Sequence, residues 1–478
     1  MKPIGRFEGW VYFILAAIGC QCSSTKAGRM MNHSRPNIIF LLADDMRRDA
    51  LGCYGNTIAI TPQLDKLAAE GTLFTKAYVT TSICAISRAT FLSGQYCRRH
   101  GIDDFGKTFT DSALASTYPM LLRQAGYYTG FIGKYGVGNM MPAKYFDYWK
   151  GFAGHGSYFY KDAKENPIHE TAMMGKQMEE FISSRDTTKP FCLSVSFKAP
   201  HSEDGVAENN GFRPDPFFNN WYTDTHFRYP ATYADSFYMQ FPAPWRVDEL
   251  AKENEARVRW KMRFGTPDKL QTTYRAIYRL VSGIDRVVGN LRQYLEQQGL
   301  AGNTIIVFAS DNGYYMGEHG LEGKWYGHRE SIEIPLLIYN PQEPSHMKQV
   351  DELVLNLDLA PTLLQWAGLP QNRHMQGASL VPLVQGKKTK WRSHFFYEHT
   401  YNPGTYPVYI PHTVGIVNKS YAYMRYYNGS NSQHAIFETL YQTYIDSLEV
   451  NNLIAKPVFS RQINRMRALV QHYEKVLR

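Results

Sequence analysis

Four short runs of continuous apolar residues frame the chain: 36–43 (PNIIFLLA), 128–133 (YTGFIG), 191–197 (FCLSVSF) and 304–309 (TIIVFA). Runs of this length, rich in β-branched or aromatic residues and lacking polar alternation, read as strands buried on both faces. Helical patterns lie between them. Pro62 opens one helix at its first position, and Gly71 lies beyond its end. Tyr118 to Ala125 is a second, closed by Gly126. Ile277, Leu280, Val281, Ile284, Val288 and Leu291 give Thr273 to Gln298 one apolar face. Strands alternating with helices predict an α/β fold, with a mostly parallel sheet covered on both faces. Ile334 to Tyr339 and Glu352 to Leu355 add strands, and Leu359 to Trp366 a helix. Near Leu380 to Lys390 the composition turns polar. Beyond it come short, aromatic, alternating strands and a helix at Arg461 to Leu477, a smaller α+β region with an antiparallel sheet. The domain expectation is therefore a catalytic unit over 35–385 and a C-terminal subdomain over 386–478.

One long stretch resists this pattern. From Ser202 to Asp268 the chain is irregular and rich in Pro and aromatics, with a charged helix near Val247 to Phe264. An insertion of that length is a lid, a binding loop or surface padding.

The N-terminus changes the picture of where the protein works. Lys2 and Arg6 precede an apolar run, Trp10 to Ile18, too short to span a membrane, followed by small residues and Cys20. This reads as a signal peptide over 1–19 and a polar tether over 20–34. Ala17-Ile18-Gly19-Cys20 resembles a bacterial lipoprotein cleavage box, which makes Cys20 a lipidation site and gives a lipid anchor to a membrane surface. The expected location is the bacterial cell envelope, periplasmic or on a membrane surface, with secretion as the alternative. Cys53, Cys84, Cys97 and Cys192 are too few and scattered for a disulfide scaffold; a single Cys53–Cys97 bridge stays open.

Composition adds little more. With 44% hydrophobic and 20% charged residues the chain builds a large core. The 34 Tyr, 26 Phe and 8 Trp suit a sugar-handling protein as well as an ordinary core. The net charge of +9 is compatible with acidic polysaccharides, and nucleic acid is not an expected partner.

The chemistry collects where the strands end. Thr81 to Gln95 (TSICAISRATFLSGQ) sets Cys84 and Arg88 on one helix face, with Thr81 or Ser82 as cap and Gly94 as terminator. A Cys in a first helical turn sits where free N–H groups favour an anion, and an Arg fork matches a tetrahedral oxyanion. The four strand ends supply Asp44-Asp45, Lys134, His201 and Asp311-Asn312. The Asp and Asn residues are hard oxygen donors suited to Ca²⁺, or to Mg²⁺, rather than to zinc. Lys134 is a candidate for holding an equatorial oxygen, and His201 for protonating a leaving alcohol. Gly317 to Lys324 (GEHGLEGK) adds a glycine-spaced polar loop with a second Lys.

Together, Cys84-x-x-x-Arg88 with Leu92-Ser93-Gly94, Asn37 to Asp45, Gly130 to Lys134, Ala199 to His201, Ser310 to Gly313 and Asn356 to Leu364 resemble the type I, formylglycine-dependent sulfatases of the alkaline phosphatase superfamily. SDNGYYMGEHGLEGK followed by ESIEIPLL looks most like the branch of N-acetylglucosamine-6-sulfatases and related glycosaminoglycan sulfatases. The resemblance implies an alkaline-phosphatase-like fold and conversion of Cys84 to formylglycine (3-oxoalanine) by a formylglycine-generating enzyme. It implies that Arg88 and Lys134 orient that residue, that Asp44, Asp45, Asp311, Asn312 and residue 84 bind Ca²⁺, and that Lys324 grips the sulfate. His201 becomes the acid for the leaving group, and the substrate a sulfated carbohydrate. Glu318, His319 and Trp325, near Lys324 in sequence, are candidate substrate contacts. Two positions depart from the family pattern. Ile86 stands where Pro or Ala is usual, and Gly136 where many relatives carry His. These departures motivate a second reading, a sulfated-glycan-binding relative with unconverted Cys84. A third is a formylglycine-dependent phosphoester or phosphonate hydrolase.

Overall fold

The computed structural model describes residues 35–162, 164–343, 347–401, 408–428 and 434–477. The expected leader, tether and Cys20 lie outside the described residues. At the centre is the strand Asn37–Asp44 (β1), buried at every position. Its alternating side chains divide two apolar clusters: Ile38, Phe40 and Leu42 face one, and Ile39, Leu41 and Ala43 the other. Each large side chain removed from water in this way contributes roughly 1.5–3 kcal/mol. A run with no polar position is therefore most stable in the middle of the sheet.

Seven more strands complete this sheet: Thr72–Phe74 (β2), Tyr128–Lys134 (β3), Tyr148–Phe152 (β4), Phe191–Pro200 (β5), Thr304–Ser310 (β6), Leu336–Tyr339 (β7) and Gln349–Val350 (β8). Their order is β8-β2-β7-β6-β1-β5-β3-β4. β7 runs antiparallel to its neighbours β6 and β2, and the remaining pairs are parallel. The four apolar runs form its contiguous core, β6-β1-β5-β3. The sequence pattern does not reveal β2, β4 and β8, because they are short or lie at the edges, where no unbroken apolar run is needed. Of the expected strand at Glu352 to Leu355, Val354–Leu355 forms, pairing with Ala77–Tyr78 in a separate small sheet.

On the first face lie Cys84–Ser93 (α2), Tyr118–Gln124 (α3) and Leu359–Trp366 (α6). On the second lie Pro62–Glu70 (α1), Glu170–Ser184 (α4) and Pro267–Gln297 (α5). α5 starts earlier than its apolar periodicity indicates. Thr266 caps it, its side chain accepting from Lys269 N–H at 3.3 Å, and Pro267 takes the first position. Capping chemistry, rather than periodicity, sets that boundary.

The C-terminal strands His394–His399 (β9), His412–Asn418 (β10), Ala422–Tyr427 (β11) and Phe437–Tyr441 (β12) form an antiparallel meander. The last helix, Ser460–Val476 (α7), buries Ile463, Met466 and Val470 in the same apolar cluster as α2. Cys53, Cys84, Cys97 and Cys192 are all free, so no Cys53–Cys97 bridge forms.

Candidate active site

Parallel pairing brings the strand ends to one rim. Ala43 lies opposite Ser310, Gly133 opposite Ser196, and Asp44 opposite Pro200 after an irregularity between Leu42 and Asp44. The residues that follow these positions face one crevice, the usual ligand site of an α/β sheet. Asp45 adopts a left-handed φ of 65° there, and its N–H donates to Asp311 Oδ1 at 3.1 Å. Asn312 Nδ2 donates to Asp45 Oδ1 at 2.6 Å and to the Gly313 carbonyl at 2.8 Å. Carboxylate oxygens of Asp44, Asp45 and Asp311 lie within 4.8 Å of one another. Asp44 Oδ1 and Asn312 Oδ1 are buried, with no hydrogen-bond partner among the described residues. Orphaned buried oxygens are costly unless something positive meets them. The donor set therefore fits a hard cation.

Cys84 is the first residue of α2 and is buried. Ile83, with extended backbone, occupies the cap position without a side-chain bond. The capping role expected of Thr81 or Ser82 is not realised: Ser82 Oγ donates instead to the Ser331 carbonyl at 2.7 Å, tying the entry to α2 to the short helix Arg329–Ile332. That leaves the first N–H groups of α2 free of a side-chain acceptor, as an anion site needs. Gly94, at φ 67°, ends the helix as expected. Lys324 Nζ reaches Cys84 Sγ at 3.6 Å and also bonds Asp45.

One turn on, the Arg88 fork is engaged by the protein. Nε donates to Asp311 Oδ2 at 2.8 Å, Nη1 to the Lys134 carbonyl at 2.8 Å and to Ser196 Oγ, and Nη2 lies 3.5 Å from Asp44 Oδ2. Arg88 thus braces four strands, β1, β3, β5 and β6, at their C-terminal parts. Its stem also explains Gly136: at φ 71°, a Cβ there would come within 2.7 Å of Arg88 Cδ. A side chain at 136 has no room.

Electrostatics follow from this crowding. Burial opposes ionisation of Asp44, but Lys134, His201 and Arg88 outweigh it and hold the carboxyl well below its ordinary value. Burial raises Asp45 despite Lys324. Asp311 is pushed up to about 7, by burial and then by Asp44. Carboxylates that raise one another in a dry site call for a cation.

Sequence reasoning missed two important groups. His155 lies in a glycine-flanked loop with no motif to mark it. Its Nδ1 is 3.2 Å from Lys134 Nζ, and its ring stacks on His201 with centroids 4.8 Å apart. Lys134 and burial hold it down at about 3, so the neutral ring accepts from the Lys134 ammonium. Lys198, buried in β5, donates from Nζ to the His155 carbonyl at 2.9 Å and to the Ser202 carbonyl at 3.4 Å. The Ser202 carbonyl also receives the His201 Nδ1 proton at 2.6 Å. This fixes the His201 tautomer and turns Nε2 toward Asp45 Oδ2, 3.6 Å away.

Cys84, Lys324, His201, His155 and Trp325 line one cavity of about 390 Å³. Trp325 holds a φ of 87°, a conformation rare for a bulky residue and typical of functional sites. Glu318 and His319 do not line this cavity. Glu318 bonds Arg47, and buried His319 stacks on His328 at 4.6 Å. The cavity also takes Asp204, Glu255 and Arg259 from the 202–268 insertion, and Phe105 and Tyr401.

The "Sulfatase" family model matches residues 36–369, and "N-sulphoglucosamine sulphohydrolase, C-terminal" matches 317–475. N-acetylglucosamine-6-O-sulfatase of Bacteroides thetaiotaomicron is 29% identical, covering 92% of this chain and 86% of the relative. Human N-acetylglucosamine-6-sulfatase is 28% identical, covering 76% and 67%. The solved structure of BT4656 in complex with its substrate D-glucosamine-2-N,6-O-disulfate superposes with a TM-score of 0.76, at 26% identity, over 93% of this chain and 98% of that one. The phosphonate monoester hydrolase of Agrobacterium radiobacter shares the fold, at TM-score 0.75 and 21% identity, over 93% and 96%. With a family model spanning the sheet and every strand end of the crevice, the chain belongs to the sulfatase family and is a sulfuric ester hydrolase.

Proposed function

We propose that this protein removes the sulfate group from a sulfated carbohydrate, using formylglycine made from Cys84 and a Ca²⁺ ion. The observation that carries this reading is the position of Cys84. It starts a helix, lies within reach of Lys324, faces the Asp44/Asp45/Asp311 cluster and opens into a cavity of about 390 Å³. The carbohydrate assignment is supported by the named activities of the relatives and by the aromatic lining of the cavity. In this reading a formylglycine-generating enzyme acts on the chain during maturation. Mature protein lies in the bacterial envelope, with Cys20 as its lipid anchor. Among the described residues no helix is long and apolar enough to cross a membrane.

Each residue then has a physical task. Asp44, Asp45, Asp311 and Asn312 hold the cation, which supplies Lewis-acid polarisation of a sulfate oxygen. Three carboxylates face three cationic side chains here (Arg88, Lys134, Lys324), so a bound dication leaves the site net positive and suited to a sulfate ester. Converted to formylglycine, residue 84 would supply a hydrated aldehyde as the nucleophile toward sulfur, and its second hydroxyl would supply the means of releasing sulfate. Arg88 keeps residue 84 and the acidic cluster in register. Lys134 and Lys324 neutralise charge on the sulfate oxygens.

His201 donates the proton to the departing sugar oxygen. In the structure burial, followed by Lys324 and Lys134, drives its imidazole well below its ordinary value against the opposing pull of Asp44. A bound sulfate ester places an anion beside Nε2, which favours the protonated ring. His201→Ala is therefore expected to lower kcat at least ~100-fold on an alkyl sugar sulfate and less than ~10-fold on 4-nitrophenyl sulfate, whose leaving group needs no proton. Equal losses on the two substrates would remove His201 from the acid role.

His155 positions Lys134. His155→Asn keeps an acceptor near the Nδ1 position and is expected to retain kcat within a few-fold. His155→Phe keeps the stacking ring but loses the acceptor, and should lower kcat ~10- to 100-fold with KM less affected. If Phe were tolerated and Asn were not, stacking on His201 would be the important contact instead.

The direct test of the function is release of inorganic sulfate from monosulfated sugars by the matured, Ca²⁺-supplied protein. No release from any sulfated sugar or aryl sulfate, with formylglycine verified at position 84, would overturn the reading.

A further inference from the structure

The cavity has two chemically different ends. At its floor are Cys84, Lys324, His201 and Asp45. The opposite wall is built by the 202–268 insertion, with Glu255 and Arg259 one turn apart on the helix Glu255–Arg263 and Asp204 from the loop before it. Arg259 Nε donates to Glu255 Oε1 at 2.5 Å, Nη1 lies 3.6 Å from Asp204 Oδ1, and the guanidinium carbon is 5.6 Å from the Trp325 ring centre. A guanidinium has five N–H groups in a rigid fork, so this one is oriented with donors to spare. Arg263 stands behind it, buried, donating to Glu322 at 2.7 Å and lying 3.4 Å from Asp204 Oδ1. The Asp204 side chain is exposed to the cavity mouth, and Arg259 and Arg263 beside it hold its carboxyl below the ordinary value, so it accepts hydrogen bonds and donates none.

Resting on the carbohydrate sulfatase reading, we propose that Asp204 and Arg259 form a hydroxyl-reading site that selects the sugar by its uncharged edge. A vicinal pair of hydroxyls can donate to an ionised carboxylate and accept from a guanidinium at once, and Trp325 offers an apolar face to the ring. The same wall disfavours a second anion. Of the insertion's charged side chains that line the cavity, Asp204 and Glu255 stand against Arg259 alone, an excess of one negative charge at the wall. The floor therefore takes one sulfate, and the wall selects hydroxyl or acyl substituents over a second sulfate or a carboxylate.

The test compares kcat/KM of the full-length matured protein on three probes: 4-nitrophenyl sulfate, N-acetylglucosamine 6-sulfate and D-glucosamine-2-N,6-O-disulfate. The wild type is expected to prefer the monosulfated sugar to the disulfated one by at least ~10-fold. Asp204→Asn should shrink that ratio to within ~3-fold. Arg259→Ala should lower kcat/KM on the monosulfated sugar at least ~30-fold more than on the aryl sulfate, mainly through KM. The proposal is overturned if the wild type turns over the disulfate as well as the monosulfate, or if Asp204→Asn leaves the ratio unmoved. It is overturned too if Arg259→Ala affects aryl and sugar substrates equally, the mark of a purely structural residue. Should the wild type release sulfate from none of the probes, the functional reading falls separately. Calorimetric binding of the two sugars then decides the wall: preference for the monosulfate supports it, and equal or reversed affinity overturns it.

Discussion

Asp311→Ala is expected to lower kcat by at least ~10³ and to abolish stabilisation by Ca²⁺. Asp311 joins three parts of the site. Oδ1 receives the Asp45 N–H, Oδ2 receives Arg88 Nε, and the carboxylate is one of the three whose oxygens lie within 4.8 Å. Without it the cation loses a charged ligand, and buried Arg88 loses one of its two carboxylates. Breaking a buried pair on one side costs roughly 3–5 kcal/mol. The fold survives because Asp44, the Lys134 carbonyl and Ser196 Oγ still surround the guanidinium. Thermal unfolding reads the metal term apart from activity. Ca²⁺ should raise Tm of the wild type and a chelator reverse it, since a cation meets the orphaned Asp44 and Asn312 oxygens. The variant should show neither shift. Full activity, or an undiminished Ca²⁺ shift, in Asp311→Ala would remove this residue from the metal site.

Cys84→Ala is expected to lose turnover by ~10⁴ or more while keeping most of the Ca²⁺-dependent gain in Tm. The two effects separate because the oxygen donors come from β1 and β6, whereas the nucleophile comes from α2. Mass spectrometry of the peptide containing residue 84, from protein purified from its native host, gives the companion result: formylglycine in place of Cys. Ile86 is buried in the apolar cluster on the first face of the sheet, so in the folded protein it serves packing. An unmodified Cys84 with full turnover would overturn the nucleophile assignment. An unmodified Cys84 without turnover would shift the reading to a sulfated-glycan binder.

Much of the site was legible because its residues follow features that local sequence encodes. Asp44, Lys134, His201 and Asp311 each sit where an unbroken apolar run stops, and such runs are recognisable without knowing their partners. Cys84 and Arg88 share a helix face by their spacing alone. The helix-capping role expected of Ser82 failed for a non-local reason, because its hydroxyl is taken by Ser331, far away in the chain. Glu318 and His319 were candidate contacts only through nearness in sequence to Lys324. The left-handed backbone at Gly317, His319 and Gly320 turns the loop between them and the lysine.

Local patterning therefore determined the fold class, the central strands, the helix that begins at Cys84 and the acidic cluster, since burial on both faces and helical spacing are properties of contiguous residues. Only the tertiary structure decided how the cavity is completed. His155 and Lys198 brace Lys134 and His201 from loop and strand, Gly136 yields its space to Arg88, and Asp204, Glu255 and Arg259 arrive from an insertion with no periodic pattern. These contacts join residues distant in sequence, so no local spacing encodes them; packing of the insertion against α5 and against Glu322–Gly323 brings them into place.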